Sequence, residues 1–243
     1  MSEYLDLCLE TGSNTQKIRE FSEFAEELGI GVIGVCEDYD KIKDFENFLD
    51  TVDEVNKDVG PRVVSSVKVS AENLKDLNDK ISAAREMFHV VIVQGGDTDI
   101  NRRASEDSRV DILLSPGKGR KDAGIDQVVS REMKENNVAL GICWRDLLKT
   151  SGKKRSQVLS KIRRQKSFSD KYGFDMVLVS GAEKKYEMRK PRDTAGLACM
   201  LGFEVGEAKK TVKENQSGIV ERAEKVMSDR YVIPGVEVVD DES

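Results

Sequence analysis

Seven short apolar or β-branched runs recur along the chain, at residues 4–9, 31–36, 63–69, 90–93, 111–114, 138–143 and 176–179. Several are almost continuously apolar, the pattern of parallel strands covered on both faces. Amphipathic stretches lie between them. Ile18, Phe21, Phe24, Ala25 and Leu28 share one helical face, which Gly29 ends, and Ile42, Phe45, Phe48, Leu49, Val52 and Val55 make a second. Leu74, Leu77, Ile81 and Ala84 make a third, and Ile125, Val128, Val129 and Met133 a fourth. Strands alternating with helices build βαβ units and a parallel sheet. Seven such runs in 243 residues suit a TIM-type barrel better than a five- or six-strand open sheet, the fallback. Only helical stretches follow the seventh run, so an eighth strand is expected to be missing, short or irregular. The expectation is an α/β fold, a TIM-like barrel of about seven parallel strands, incomplete or distorted. No low-complexity linker divides residues 1–243, which are read as a single barrel domain ending in a short acidic tail over about 236–243.

Charge is distributed in blocks. Residues 1–100 carry a net −12, residues 101–192 a net +11, and residues 193–243 a net −5, for −6 overall. An acidic chain does not coat nucleic acid uniformly, but one with a basic segment can touch it on one side. Within that segment, the stretch 149–168 holds Lys149, Lys153, Lys154, Arg155, Lys161, Arg163, Arg164 and Lys166 and no acid. A second cluster is Lys184, Lys185, Arg189, Lys190 and Arg192; a third is the loop with Lys118, Arg120 and Lys121. Any one cluster reads as a solvated face, whereas three in an otherwise acidic chain point to a polyanion.

Groups for catalysis are sparse. Zinc and di-metal hydrolase sites draw heavily on imidazole, and His89 is the single histidine, at the start of a strand and away from the end where barrels place their sites. Carboxylates do stand at strand ends (Glu10, Glu37, Asp38, Asp97), where Mg²⁺ binding is possible in principle and solvation is the commoner role. Cys8, Cys36, Cys143 and Cys199 form no CxxC or CxxH spacing and read as small buried core residues in a reducing compartment. The glycines at 29, 31 and 34 match GxGxxG, but a strand runs through them where the dinucleotide motif needs a turn into a helix. The loop 115–121, with Gly117 and Gly119 beside its cations, is a possible phosphate cradle and lacks the Gly-Lys-Ser/Thr ending of a Walker loop. Ser180-Gly181-Ala182, after the seventh strand, is a weaker phosphate signal of the same kind. No run of 18 apolar residues and no basic-then-apolar leader is present, so a cytoplasmic protein without membrane contact is expected.

The order and spacing of several runs resemble a known family. They are Arg-Val-Asp-Ile-Leu at 109–113, Gly-Ile-Asp at 124–126, Asn-Asn-Val-Ala-Leu at 136–140, Val-Ser-Gly-Ala at 179–182, Met-Arg-Lys-Pro-Arg-Asp at 188–193 and Leu-Gly at 201–202. Together the chain resembles ribonuclease P protein component 3, the archaeal and eukaryal thirty-kilodalton subunit family. The resemblance implies an incomplete barrel related to phosphoesterases of the polymerase-and-histidinol-phosphatase type. It implies a subunit of the ribonucleoprotein endonuclease that removes 5′ leaders from precursor tRNA, whose RNA is catalytic with Mg²⁺. On that reading the chain has no catalytic residue, no metal site and no cofactor of its own. Its partners would be the ribonuclease P RNA, protein component 2, the other protein subunits and, in the holoenzyme, precursor tRNA. Its RNA or phosphate contacts are expected among Lys118, Arg120, Lys121, Lys153, Lys154, Arg155, Arg163, Arg164, Lys184, Lys185, Arg189, Lys190 and Arg192. The rival reading is a TIM-barrel enzyme acting on a phosphorylated metabolite, with the cationic loops as its clamp.

Overall fold

The computed structural model describes residues 3–227 and two short strands, Tyr231–Ile233 and Val236–Glu237; of the acidic tail expected over 236–243, residues 238–243 lie outside the described ones. Seven strands, β1 (Leu5–Glu10), β2 (Val32–Asp38), β3 (Arg62–Val69), β4 (Val90–Gln94), β5 (Ile112–Leu114), β6 (Ala139–Cys143) and β7 (Met176–Val179), pair in sequence order, every pair parallel. The helices are α1 (Thr15–Leu28), α2 (Phe45–Asn56), α3 (Leu74–Met87), α4 (Thr98–Ser105), α5 (Gln127–Glu135), α6 (Trp144–Leu148), α7 (Gly152–Tyr172), α8 (Pro191–Met200), α9 (Val205–Thr211) and α10 (Glu214–Met227). The sheet curls into a nearly closed barrel, so the open-sheet fallback is set aside.

Two buried layers follow from strand alternation. Leu7, Cys8, Cys36, Val64, Ile92, Ile112, Leu114 and Val177 fill the interior. Leu9, Ile33, Val67, Val91, Val93, Leu113, Leu140 and Leu178 face outward and meet Ile18, Phe21, Phe48, Leu77, Ile81 and Met133 of the helices. The interior leaves no room at Gly34, where a β-carbon would run into the Leu7 carbonyl and Ser66 Oγ. That packing is why glycine stands there, and Gly29 is the left-handed cap of α1 at φ 77°, so the GxGxxG match is structural. Helices α1, α2, α3, α4 and α5 each open on an Asn or Asp whose side chain accepts from a backbone N–H of the first turn: Asn14, Asp44, Asn73, Asp97 and Asp126.

Among the described residues no eighth strand joins the barrel sheet, and backbone and side-chain hydrogen bonds span its place. At the upper end of the β1–β7 seam, Leu9 bridges Ala182 and the Glu10 N–H donates to the Ala182 carbonyl at 2.8 Å. Below, the Ser180 N–H donates to buried Asp6 Oδ1 at 3.0 Å. Lower still, Gln216 accepts from the Leu7 N–H at 3.1 Å and donates to the carbonyls of Leu178, at 2.8 Å, and Thr211, at 3.0 Å. Helix α10 closes the floor, with Ile219 and Val220 joining the interior cluster and Arg222 reaching buried Asp111 at 3.2 Å.

Three details differ from the sequence expectation. Helix α4 has no counterpart in it, because only Ile100 and Ala104 make its apolar stripe. Cys199 is exposed on α8, whereas Cys8, Cys36 and Cys143 are buried on strands. The antiparallel pair at 231–233 and 236–237 adds a small second sheet.

Candidate nucleic-acid interface

The C-terminal mouth of the barrel, where such folds build active sites, is occupied by an ionic chain. Lys68, on β3, points its ammonium between Glu10 Oε1, at 2.7 Å, and Asp38 Oδ1, at 2.9 Å. Arg145, at the head of α6, binds the same Glu10 oxygen at 2.7 Å and Glu183 at 2.6 Å, and Lys149 joins Glu183 at 2.8 Å. Burial alone would lower the Lys68 pKa, yet hydrogen bonds to Glu10 and Asp38 outweigh it and hold the ammonium above its usual range. Burial likewise works to raise Asp38, and the Lys41 and Lys68 contacts pull it below the ordinary carboxylate value. Two strand-end carboxylates that a divalent ion would need are thus bound to a lysine. They do not fit a metal centre, and among the described residues no cluster of three or more His, Cys, Asp or Glu is placed to hold one. Asp97 caps α4, and His89 sits at the opposite end with Nδ1 2.8 Å from Ser65 Oγ, its pKa lowered by burial. No sequence signal singles out Lys68. A lone lysine in a strand points inward or outward according to a one-residue register.

Strand order equal to sequence order turns the charge blocks of the sequence into sides of the molecule. Residues 1–100 form β1 to β4 with α1 to α3 and the acidic half; residues 101–192 form β5 to β7 with α5 to α7 and the basic half. On the basic half, Lys118 and Lys121 are exposed on the loop after β5. Arg120, on the same loop, instead fastens it. Its guanidinium grips Asp122 at 2.7 and 2.9 Å and donates to Thr98 Oγ1 at 2.7 Å, and the first of these contacts holds Asp122 down at about 2. The loop is tied to α7, since Lys161 Nζ donates to the Gly117 carbonyl at 2.9 Å and Gln165 Nε2 to that of Ala123 at 2.7 Å.

Helix α7 shows solvent Lys153, Lys154, Arg155, Arg163 and Arg164, while Ile162, Gln165 and Lys166 face inward. Of the eight cations in 149–168, three are therefore used internally: Lys149 on Glu183, Lys161 on the loop, and Lys166 on Asp170 and Glu207. Arg163 also donates to the Met200 carbonyl at 3.2 Å, and Arg164 lies over Phe168 with its centre 5.8 Å from the ring. Lys153, Lys154 and Arg155 crowd the first turn of α7, which has no acid and no side-chain cap. Cations there oppose the helix dipole, at roughly 0.3–1 kcal/mol each, and none pairs with a described residue. A charge arrangement unfavourable to the helix and unpaired among the described residues suits an external anion.

The third cluster follows β7. Lys184 and Lys190 are exposed and so is Arg192, on the first turn of α8. Lys185 and Arg189 are half-buried, Lys185 over Tyr186 and Arg189 over Trp144 while donating to the Tyr186 and Met188 carbonyls. The structure thus joins the loop cluster to α7 directly and links the third cluster to them through Glu183. Within the thirteen candidates, Arg120 and Arg189 are the two whose guanidinium groups are mainly spent on internal contacts.

Comparison with known proteins agrees with this geometry. The profile of the family described as RNase P subunit p30 matches residues 3–228. Ribonuclease P protein component 3 of Methanosarcina mazei is 31% identical over 251 aligned positions, which cover 99% of this chain and 97% of that protein. The protein of the same name from Methanocaldococcus jannaschii is 34% identical over 181 positions, 74% of this chain and 77% of the relative. In a cryo-EM structure of archaeal ribonuclease P with mature tRNA, one chain superposes with a TM-score of 0.85 at 29% identity, covering 98% of this chain and 99% of that one. A 5-methylcytosine deaminase from Klebsiella pneumoniae, at 11% identity and a TM-score of 0.62 over 97% of this chain and 78% of its own, shares the barrel alone. No helix among the described residues is long and apolar enough to cross a membrane. The chain belongs to the RNase P subunit p30 family.

Proposed function

We propose that this chain is a protein subunit of ribonuclease P, acting in removal of 5′ leaders from precursor tRNA, and that it supports the RNA rather than performing the hydrolysis. The observation that carries the reading is its end-to-end likeness to a chain of the archaeal enzyme. The mouth supports the second half of the statement. Lys68 and Arg145 neutralise Glu10, and Lys68 also holds Asp38, so these two carboxylates, at the end of the barrel that carries chemistry in other families, are already engaged by cations of the chain. Mg²⁺ is then met by the RNA, and the protein's share is to lessen phosphate repulsion with its basic half. Lys118, Lys121, Lys153, Lys154, Arg155, Arg163, Arg164, Lys184, Lys190 and Arg192 are the exposed cations offered to phosphates. The acidic half suits a basic protein, protein component 2 of the same enzyme being the partner proposed, and the site of action is the cytoplasm.

Reconstitution tests the proposal. The RNA subunit and the remaining proteins are assembled with and without this chain, and precursor-tRNA cleavage is followed across Mg²⁺ concentration. Omission should slow cleavage most at low Mg²⁺, where protein cations matter most, and the chain alone should cleave nothing. Equal rates with and without it, or turnover by the chain alone that is lost in Glu10→Gln, would overturn the assignment.

A further inference from the structure

A cavity of about 260 Å³ lies between the upper ends of β5 and β6 and helices α6 and α7, under the loop 115–119 and beside the ionic chain of the mouth, whose terminal Lys149 it shares. Its walls are largely aliphatic: Ile142, Val158 and Ile162. Its rim carries Lys118, Lys149 and Lys161, and Asp146 is the one carboxylate in its lining. The roof is propped rather than collapsed. Ser115, at the left-handed φ of 50°, donates from Oγ to Asp146 Oδ2 at 2.8 Å, and Lys161 holds Gly117 from below at 2.9 Å. A non-glycine residue at positive φ is sparsely populated backbone, so the void is built into the loop.

The lining fits few ligands. A bare phosphate gains nothing from three aliphatic walls, and a lipid chain gains nothing from a carboxylate and a lysine rim. A nucleotide meets all three features: a flat apolar body, N–H donors for a carboxylate and a negative charge for lysines. The volume sits just below the range of about 300–1,000 Å³ for drug-sized ligands, which suits one base. Asp146 keeps acceptor capacity after the Ser115 bond, because a carboxylate accepts at about four positions. Guanine, with adjacent N1–H and N2–H donors, uses that capacity better than uracil, whose single N–H lies between two carbonyls.

We infer that this cavity receives one unpaired nucleotide of the RNA bound by the basic half, with its base against Ile142, Val158 and Ile162, its edge on Asp146 and its phosphate at the lysine rim. The inference rests on the ribonuclease P reading. It deepens that reading by giving the basic half a base-reading element, in keeping with RNA recognition through splayed-out single-stranded bases. Lys118 makes no ion pair with a described residue, so its charge is available at the rim.

The full chain, labelled at Ile and Val methyls, is titrated with GMP, UMP and ribose 5-phosphate. GMP should move the Ile142, Val158 and Ile162 signals with an affinity of about millimolar, UMP should do so less, and ribose 5-phosphate should leave them in place. Val158→Trp fills the void without changing charge. It should abolish the GMP shifts and weaken binding to the ribonuclease P RNA about tenfold with an unchanged salt slope, since it removes packing and leaves every phosphate-binding cation in place. Should that variant fail to melt cooperatively, Asp146→Asn keeps the shape of the wall and should reduce GMP binding. Equal shifts from ribose 5-phosphate would make this a sugar-phosphate site and overturn the inference, as would wild-type RNA affinity in a folded Val158→Trp. A wild-type chain that takes GMP but does not bind the RNA would instead sink the ribonuclease P reading and leave a mononucleotide site.

Discussion

Gln216 closes the barrel with one amide, and its replacement measures what that closure contributes. The side chain is fully buried and serves the Leu7 N–H and the Leu178 and Thr211 carbonyls together. Gln216→Leu keeps the volume and leaves these groups unpaired, at roughly 1–3 kcal/mol for each buried group stranded. The expected loss is about 3 kcal/mol, read as a lower urea midpoint at constant m-value. A second seam residue makes stability depend on pH. Burial pushes Asp6 up to about 6 against the hydrogen bonds from Ser180 and Cys8. The folded chain therefore binds this proton more tightly than the unfolded chain does. The group's contribution to stability is greatest below the unfolded value of 3.8, falls as pH rises and is flat above about 6. Asp6→Asn still accepts from the Ser180 N–H and carries no charge. At pH 7 it should gain up to about 3 kcal/mol over wild type, a gain that vanishes by about pH 4. Asp38, Asp122 and Glu183, whose pKa values are lowered, work in the opposite sense, so the difference between variant and wild type is the quantity to plot. Neither seam residue can be singled out from the sequence. A glutamine in a helix and an aspartate in a strand become structural only once β1 and β7 are known to lack a strand between them.

Helix α7 carries the strongest opposition between what suits the element and what suits a polyanion. Changing Lys153, Lys154, Arg155, Arg163 and Arg164 to Gln removes three cations from the positive end of a helix dipole and leaves Ile162, Gln165 and Lys166 in their places. Melting temperature should stay level or rise, since relief at the first turn offsets removal of the Arg163 bond to Met200. Affinity for the RNA should fall, and the log–log salt slope should flatten by roughly 0.7–0.9 for each phosphate that the helix no longer neutralises. A variant that is more stable and binds as steeply as wild type would turn this face to solvent. The strands and the long amphipathic helices are legible in the sequence because their apolar residues repeat at two or near 3.6 residues. Helix α4 is not, with two apolar positions in eight residues, although Asp97 three residues before Ile100 is a capping signal. The pair at 231–233 and 236–237 likewise has its cue in Pro234-Gly235, a turn dipeptide between apolar residues. Which cations of α7 point outward is only partly legible. Periodicity separates Val158 and Ile162 from their neighbours, but it does not show that Lys161 and Lys166 have carbonyls and carboxylates to meet inside.

On the scale of the whole molecule, sequential strand order makes the chain an electric dipole, and the acidic half should matter far less to RNA than its charge suggests. Glu46, Asp50, Asp53 and Glu54 are exposed on α2, against β2 and β3, while α7 stands against β6 on the far side of the barrel. A TIM-type barrel with its helices is several Debye lengths across at physiological salt, where that length is about 8 Å. Repulsion between these carboxylates and an RNA seated on α7 is then screened almost completely. At about 0.01 M salt the length grows to about 30 Å, and the acidic half is felt again. Changing Glu46 and Glu54 to Gln and Asp50 and Asp53 to Asn should therefore leave RNA affinity within about twofold of wild type at 0.15 M salt, and should raise the association rate only near 0.01 M. The α7 variant should weaken binding at both. Stopped-flow association and equilibrium titration at the two salt concentrations separate the cases. A variant at these four positions that bound RNA much more tightly at 0.15 M salt would place the acidic half against RNA, and with it the partner surface proposed for that side.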